Sequence, residues 1–187
     1  MVLSGWRMNL DGAVVMVVRA LILFLPAMVA NALPVLVRVF FRNRHPIDFN
    51  KNFIDGRRVL GDGKTWEGFV LGLSGSLLLG LGYVYIFGNG LWVLYAFFMS
   101  LGALLGDLIN AFVKRRLGMR GGAPFPPFDQ IDYLLGSFLI IRLSGVDLLL
   151  STSLDLQSLL IAMVVSLILH PLTNFIAYLF GIKDVPW

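Results

Sequence analysis

The run GDLINAFVK at positions 106 to 114 spaces Asp107, Asn110 and Lys114 three and four residues apart, so a helix presents all three on one face. Further along, DQID puts Asp129 and Asp132 three apart at the start of another apolar stretch, where a helix N-terminal dipole offsets their mutual repulsion. Close carboxylates are unfavourable unless a cation lies between them. The chain has no cysteine and only two histidines, His45 and His170, so metal chemistry falls to oxygen ligands. Such a set suits Mg²⁺, which commonly bridges one or two carboxylates to substrate phosphates. A structural alternative makes Asp129 an N-cap and Asp132 a first-turn residue complementing the dipole.

A second polar block, PIDFNKNFIDGRRVLGDGKTWEG, contains GDGKT, which looks like the end of a P-loop. That motif needs Gly, four residues, then Gly-Lys-Ser/Thr, between a strand and a helix. Gly63, Lys64 and Thr65 fit, but Arg58 stands where the first Gly belongs, and NKNFIDGRR lacks the β-branched run of a core strand. The P-loop reading fails. What survives is a loop rich in glycine and basic residues that can bring backbone close to phosphates.

The composition is that of a membrane protein: 58% hydrophobic and 14% charged, with a mean hydropathy of +0.83. At 187 residues it reads as one transmembrane catalytic unit, 1–187, all-α, with five spans and two long cytoplasmic loops. The spans run from about Ala13 to Phe41, Glu67 to Phe87, Leu91 to Val113, Tyr133 to Leu150 and Ser158 to Phe180. Pro26 and Pro34 require the first to tilt or kink. Gly68, Gly72, Ser76 and Gly80 line one face of the second span, and Gly102 and Gly106 one face of the third; these are packing surfaces. Arg19, Arg38 and Arg142, near span ends, read as snorkelling side chains. His170 and Asn174, one turn apart in the last span, are read either as an interhelix hydrogen bond or as a functional polar pair.

The net charge of +4 and pI near 9.7 follow from basic loops facing the cytoplasm, with no nucleic acid implied. Arg42 to Lys64 holds six basic residues and Lys114 to Arg120 four, while the connections near Asn89 and Ser153 hold none. By the positive-inside rule the N-terminus lies outside and the C-terminus inside the cell membrane. Ala30-Asn31-Ala32 resembles a signal-peptide cleavage site, but Asp11, Arg19 and the charge distribution argue against one. With no activated Ser, Cys or His, the residues point to Mg²⁺-dependent phosphoryl or nucleotidyl transfer to a lipid, the acceptor's phosphate being the nucleophile. A small anion transporter and a non-enzymatic lipid-binding scaffold are the rival classes.

At these blocks, PIDFNKNFIDGRRVLGDGKTWEG, LGALLGDLINAFVKRRLG and PFDQIDYLLG, the sequence resembles the CDP-archaeol synthase family, archaeal membrane enzymes related to the phosphatidate cytidylyltransferases. The resemblance implies transfer of CMP from CTP to the phosphate of an isoprenoid glycerol ether lipid, giving CDP-archaeol and pyrophosphate with Mg²⁺. It implies that Asp55, Gly56, Arg57, Arg58, Gly61, Lys64 and Thr65 cover the nucleotide and its phosphates. Lys114 and Arg115 would hold phosphates; Asp107, Asp129 and Asp132 would place the metal, with Asp107, Lys114, Asp129 and Asp132 as the catalytic set. The broader phosphatidate group has Ser where this chain has Ala111 and Arg where it has Gln130, departures that favour the ether-lipid branch.

Overall fold

A computed structural model of the chain describes residues 12–152 and 154–186. Asp11 and Ser153, which enter the topology argument, lie outside them. Helix α1 (Gly12–Ala32) passes through Pro26 and gives way at Pro34 to a 3₁₀ turn, Leu33–Leu36, then to the short α2 (Val37–Phe40). Pro34 has no N–H to donate, so the break falls where the sequence places it. After a loop come α3 (Trp66–Phe87), α4 (Leu91–Arg116), α5 (Phe128–Ser144), α6 (Val146–Leu149) and α7 (Leu156–Leu179).

Among the described residues the architecture is wholly helical; the isolated bridges Pro46–Thr65 and Asn52–Arg58 are its only extended pairings. Four stretches, Gly12–Phe40, α3, α4 and α7, are long and apolar enough to cross a membrane. The expected fourth span, Tyr133–Leu150, is cut short. Gly145 takes φ +69° and ends α5 at Ser144, leaving 17 residues, roughly 25 Å of helix. α5 nonetheless makes its broadest contact with α4. The two run antiparallel, Gly106 meeting Asp132 and Gly102 meeting Gly136.

That register depends on bare backbone. A Cβ on Gly102 would sit 2.5 Å from the Gly136 carbonyl oxygen and 2.6 Å from the Ser137 Cα, and no flexible side chain there can yield. Gly102→Ala is therefore expected to destabilise the fold by at least the 1–3 kcal/mol typical of overpacking, read as a lower thermal midpoint in detergent. The predicted stripe Gly68, Gly72, Ser76 and Gly80 is buried throughout. Gly68 and Gly72 pack against Pro34 and Ala30, Gly80 against Trp92 and Ala96, and the Ser76 hydroxyl donates to the Ala96 carbonyl.

The three arginines near span ends all have polar partners. Arg142 pairs with the fully buried Asp147 at 2.7 Å, Arg19 donates to the Thr152 carbonyl at 2.9 Å and faces Asp155, and Arg38 pairs with Asp184. Arg19 and Arg38 find partners from distant parts of the chain, which spacing along one span cannot reveal, whereas Arg142 finds one five residues on, past the end of α5.

Candidate active site

The segment between α2 and α3 is organised around Asp48, whose side chain is wholly buried. Its carboxylate accepts from the backbone N–H of Asn50, Leu60 and Gly61 and from two nitrogens of Arg58, at 2.7–3.1 Å. Burial pushes the Asp48 carboxyl up, but Arg58 and the three N–H donors outweigh it and hold the group well below the usual carboxylate range. A carboxyl depressed on folding stabilises above its unfolded pKa of about 3.9 and loses that contribution only as pH falls through the lower folded value. Loop order should thus be unchanged down to about pH 4. Asp48→Asn is expected to weaken the closed loop by about 3 kcal/mol, seen as faster hydrogen exchange across residues 48–65.

Gly61, at φ +98°, turns the chain so that its N–H reaches Asp48 while the following residues face inward. Thr65 then caps α3, its hydroxyl accepting from the Gly68 N–H at 3.2 Å. GDGKT does feed a helix, but from a turn tied to a carboxylate rather than from a strand.

The loop splits by role. Leu60 to Thr65 line a cavity of about 340 Å³, whereas Asp55, Gly56, Arg57 and Arg58 do not reach it. They form a latch. Asp55 pairs with Arg116, Arg57 donates to the Arg115 and Arg116 carbonyls, and Arg58 is divided between Asp48 and Asp62. Arg116 also lies over the rings of Phe53 and Phe112, at 4.8 and 4.9 Å from their centroids.

The opposite wall comes from α4 and α5. Lys64 reaches both oxygens of Asp107 at 2.6 Å. Lys114 reaches both oxygens of Asp129 at 3.1 Å, Asn110 donates to Asp129 at 2.7 Å, and the Phe125 N–H donates to it at 2.8 Å. Asp129 is not an N-cap, since Pro127 holds that position. The two lysines and three aspartates form one electrostatic group: Lys64 feels Asp107, Asp132 and Asp129 together. Asp132 alone of the five has no ion pair among the described residues; it accepts from the adjoining Tyr133 N–H and interacts with the Asn110 amide. Asp107 stands nine residues before the end of α4, roughly 13 Å inside the bundle. Asp107, with Lys64, Lys114 and Asp129, therefore lines a recess.

Six basic side chains, Arg38, Arg44, Lys64, Lys114, Arg115 and Lys183, line the cavity against three aspartates, 62, 107 and 129. The Arg115 Nε is buried without a hydrogen bond. This balance fits a polyanion. For a divalent cation, the donors are all carboxylate or amide oxygen and Asp132 leaves one charge unpaired, which suits Mg²⁺. As the side chains stand, no three acidic or histidine groups among the described residues are gathered tightly enough to hold a metal unaided. A cation held by one or two carboxylates and by substrate phosphates meets both observations.

The family model described as CarS-like, CDP-archaeol synthase, matches residues 13–187. This chain belongs to the CDP-archaeol synthase family. The CDP-archaeol synthase of Sulfurisphaera tokodaii is 42% identical over 171 residues, 91% of this chain and 96% of that protein. That of Pyrobaculum calidifontis is 43% identical over 175 residues, 91% and 98% of the two chains. A solved structure described as an intramembrane enzyme for archaeal membrane lipids biosynthesis superposes with a TM-score of 0.70 at 38% identity, covering 84% of this chain and 94% of its own. CDP-archaeol synthase family membership makes the chain a multi-pass membrane enzyme and sets aside the transporter and scaffold readings.

Within this family member, sequence reasoning left Asp48 and Arg116 without a role and mentioned Asn31 only in a discarded cleavage site. Asp48 sits in the polar block, but nothing in its spacing shows that it organises the loop. Asn31, at the end of α1, and His170 and Asn174, on α7, all line the cavity. No interhelix hydrogen bond is made by either His170 or Asn174 side chain among the described residues.

Proposed function

We propose that this chain transfers CMP from CTP to the phosphate of an isoprenoid glycerol diether, releasing pyrophosphate and leaving a CDP-activated lipid in the membrane. The observation that carries the reading is the recess lined by Lys64, Lys114, Asp107 and Asp129, with Asp132 behind the lining and within the field of Lys64, in a member of this family. A lipid phosphate oxygen attacks the α-phosphorus of CTP in line; the bond from that phosphorus to the bridging oxygen of the β-phosphate breaks. A phosphomonoester, with its second pKa near 6, is largely dianionic at pH 7. It needs no protein base, which agrees with a site built without a nucleophilic Ser or Cys.

Lys64, Lys114 and Arg115 bind the triphosphate and stabilise the charge that builds on the leaving pyrophosphate. The Gly61–Thr65 turn brings backbone against the phosphates, while Asp55, Gly56, Arg57 and Arg58 hold the turn in place through the latch to α4. Asp107 and Asp132 would hold Mg²⁺, with Asp129 directing Lys114 from behind. Bound Mg²⁺ supplies neutralisation of phosphate charge and orientation of the reacting groups. The basic loops face the cytoplasm, the source of CTP, with the N-terminus outside and the C-terminus inside, and residues 1–187 act as a single catalytic unit.

Purified protein incubated with CTP, Mg²⁺ and the ether-lipid phosphate is expected to form CDP-lipid and pyrophosphate in equal amounts, and EDTA to abolish both. Absence of CDP-lipid with this acceptor and with phosphatidate overturns the reading.

A further inference from the structure

Opposite its buried glycine stripe, α3 exposes a second stripe of Trp66, Val70, Leu78, Leu81 and Tyr85. In a helix that crosses the bilayer, that side is the lipid face. Trp66 opens the helix and Tyr85, 92% exposed, stands near its far end, roughly 28 Å away along the axis. A hydrocarbon core is about 30 Å thick, and amphipathic rings collect at its two boundaries. Trp66 therefore marks the level of the interface at the end of the bundle that carries the recess.

The loop before α3 places one of its own rings at that level. Phe49 lies 6.4 Å from Trp66, centroid to centroid, and is 66% exposed in a segment, Asp48–Asn52, that is otherwise polar. Its backbone takes φ +49°, a conformation that a bulky residue rarely holds. The turn is fastened on either side of it: the Asn50 N–H donates to the Asp48 carboxylate at 3.1 Å and the Lys51 N–H to the Asp48 carbonyl at 2.8 Å. Asp48 thus faces inward and Phe49 outward. At the same end of the bundle the first span finishes in the exposed Val39, Phe40 and Phe41, and α2 packs against α3. Arg42 and Lys51 are exposed among these rings. Aromatic side chains mixed with arginine and lysine suit the boundary between acyl chains and anionic headgroups.

We infer that Phe49, packed beside Trp66, docks the Asp48 loop onto the lipid headgroup region of the bilayer, so that the membrane surface itself holds the wall of the recess in place. The occupant is lipid because the patch continues the lipid face of α3 through Trp66 and carries the charges that headgroup phosphates attract. The coupling to the site runs through one residue. Asp48, next to Phe49, binds the N–H groups of Leu60 and Gly61, so the height at which Phe49 sits sets the height of the Gly61–Thr65 turn. The inference needs only the membrane setting and is independent of the transfer reaction.

The chain has no cysteine, so Phe49→Cys provides a single labelling position in the full-length protein. The variant is labelled with a fluorophore and placed in anionic-lipid vesicles that carry nitroxides either at headgroup level or at the chain ends, with Tyr85→Cys as the reference for an interface. The Phe49→Cys label is expected to lose more emission to the shallow nitroxide than to the deep one, as the Tyr85→Cys label does, and little to aqueous iodide. Loss to iodide but not to either nitroxide puts the loop in water and overturns the docking. Protection from all three quenchers means that protein, a second copy included, covers the ring, and overturns it equally. If Phe49→Cys does not fold, Lys51→Cys carries the same comparison. Phe49→Gly tests the coupling, because glycine accepts a positive φ freely and would tighten the loop if the ring were idle. Hydrogen exchange across residues 48–65 in vesicles is expected instead to rise about tenfold, the scale of one aromatic side chain losing an apolar contact. Phe49→Trp, which keeps an interfacial ring, should exchange like the wild type. Unchanged or slower exchange in Phe49→Gly overturns the coupling of the membrane surface to the loop.

Discussion

Asp132→Asn is expected to lower kcat by roughly 10²-fold or more, comparable with removing one strong electrostatic contact from a transition state, while leaving the thermal midpoint nearly unchanged. The two halves of this expectation come from one feature. Asp132 is the carboxylate of the group that no lysine or arginine among the described residues pairs with, although it stands beside Asp107 and within the field of Lys64. A side chain with no ion pair gives the fold little to lose. Its hydrogen bond from the Tyr133 N–H can be kept by the amide oxygen of Asn. What Asn cannot keep is the negative charge available to a cation and phosphates. The measurement is CDP-lipid formation against [Mg²⁺], alongside thermal unfolding. Wild-type turnover would return Asp132 to complementing the α5 dipole.

Lys64→Met is expected to reduce kcat/KM by about 10²- to 10³-fold, with part of the loss in the KM for CTP. In the free protein the Lys64 ammonium straddles both oxygens of Asp107 and faces Asp129 and Asp132, so a cation already occupies the carboxylate group. Burial lowers the Lys64 pKa, but Asp107 outweighs it and the net shift is upward. A lysine raised on folding gives its full stabilisation below its ordinary pKa of about 10.4 and loses it only as pH rises through the higher folded value. The contact therefore persists across the neutral range, and in catalysis Lys64 must exchange Asp107 for phosphate. Removing it should make the protein more dependent on metal. Mg²⁺ alone is expected to raise the thermal midpoint of Lys64→Met by more than that of the wild type, because the ion no longer competes with an ammonium. Equal Mg²⁺ shifts, or a CTP KM and kcat within threefold of wild type, would remove Lys64 from the site. Lys64→Arg should not restore activity: a bulkier guanidinium that grips Asp107 bidentately would not exchange that carboxylate for phosphate as a compact ammonium does.

The parts of this arrangement that were legible in the sequence are those written in local spacing. Asp107, Asn110 and Lys114 share a helix face because a helix repeats every 3.6 residues, and the structure has all three lining the recess. The glycine stripes on α3 and α4 were legible for the same reason, since small residues four apart leave a groove into which backbone fits. Gly145 was harder: a glycine in an apolar run is compatible with helix until a positive φ is known, so the expected span to Leu150 ran past the true end of α5. His170 and Asn174 were recognised as unusual, but only the packing of α7 against α1 shows that they face a cavity instead of each other's neighbours.

The sequence by itself determined that the chain is a helical membrane protein with its polar chemistry in two blocks, because hydrophobicity and charge are properties of short stretches. It also carried the family resemblance through motifs long enough to be specific. Only the tertiary structure decided how the GDGKT loop divides, with Asp55 to Arg58 latched to α4 and Gly61 to Thr65 turned into the recess. It alone decided that Lys64 sits among carboxylates contributed by two other helices. Those outcomes depend on contacts between residues tens of positions apart, and such contacts are fixed by how helices pack, which no local pattern encodes.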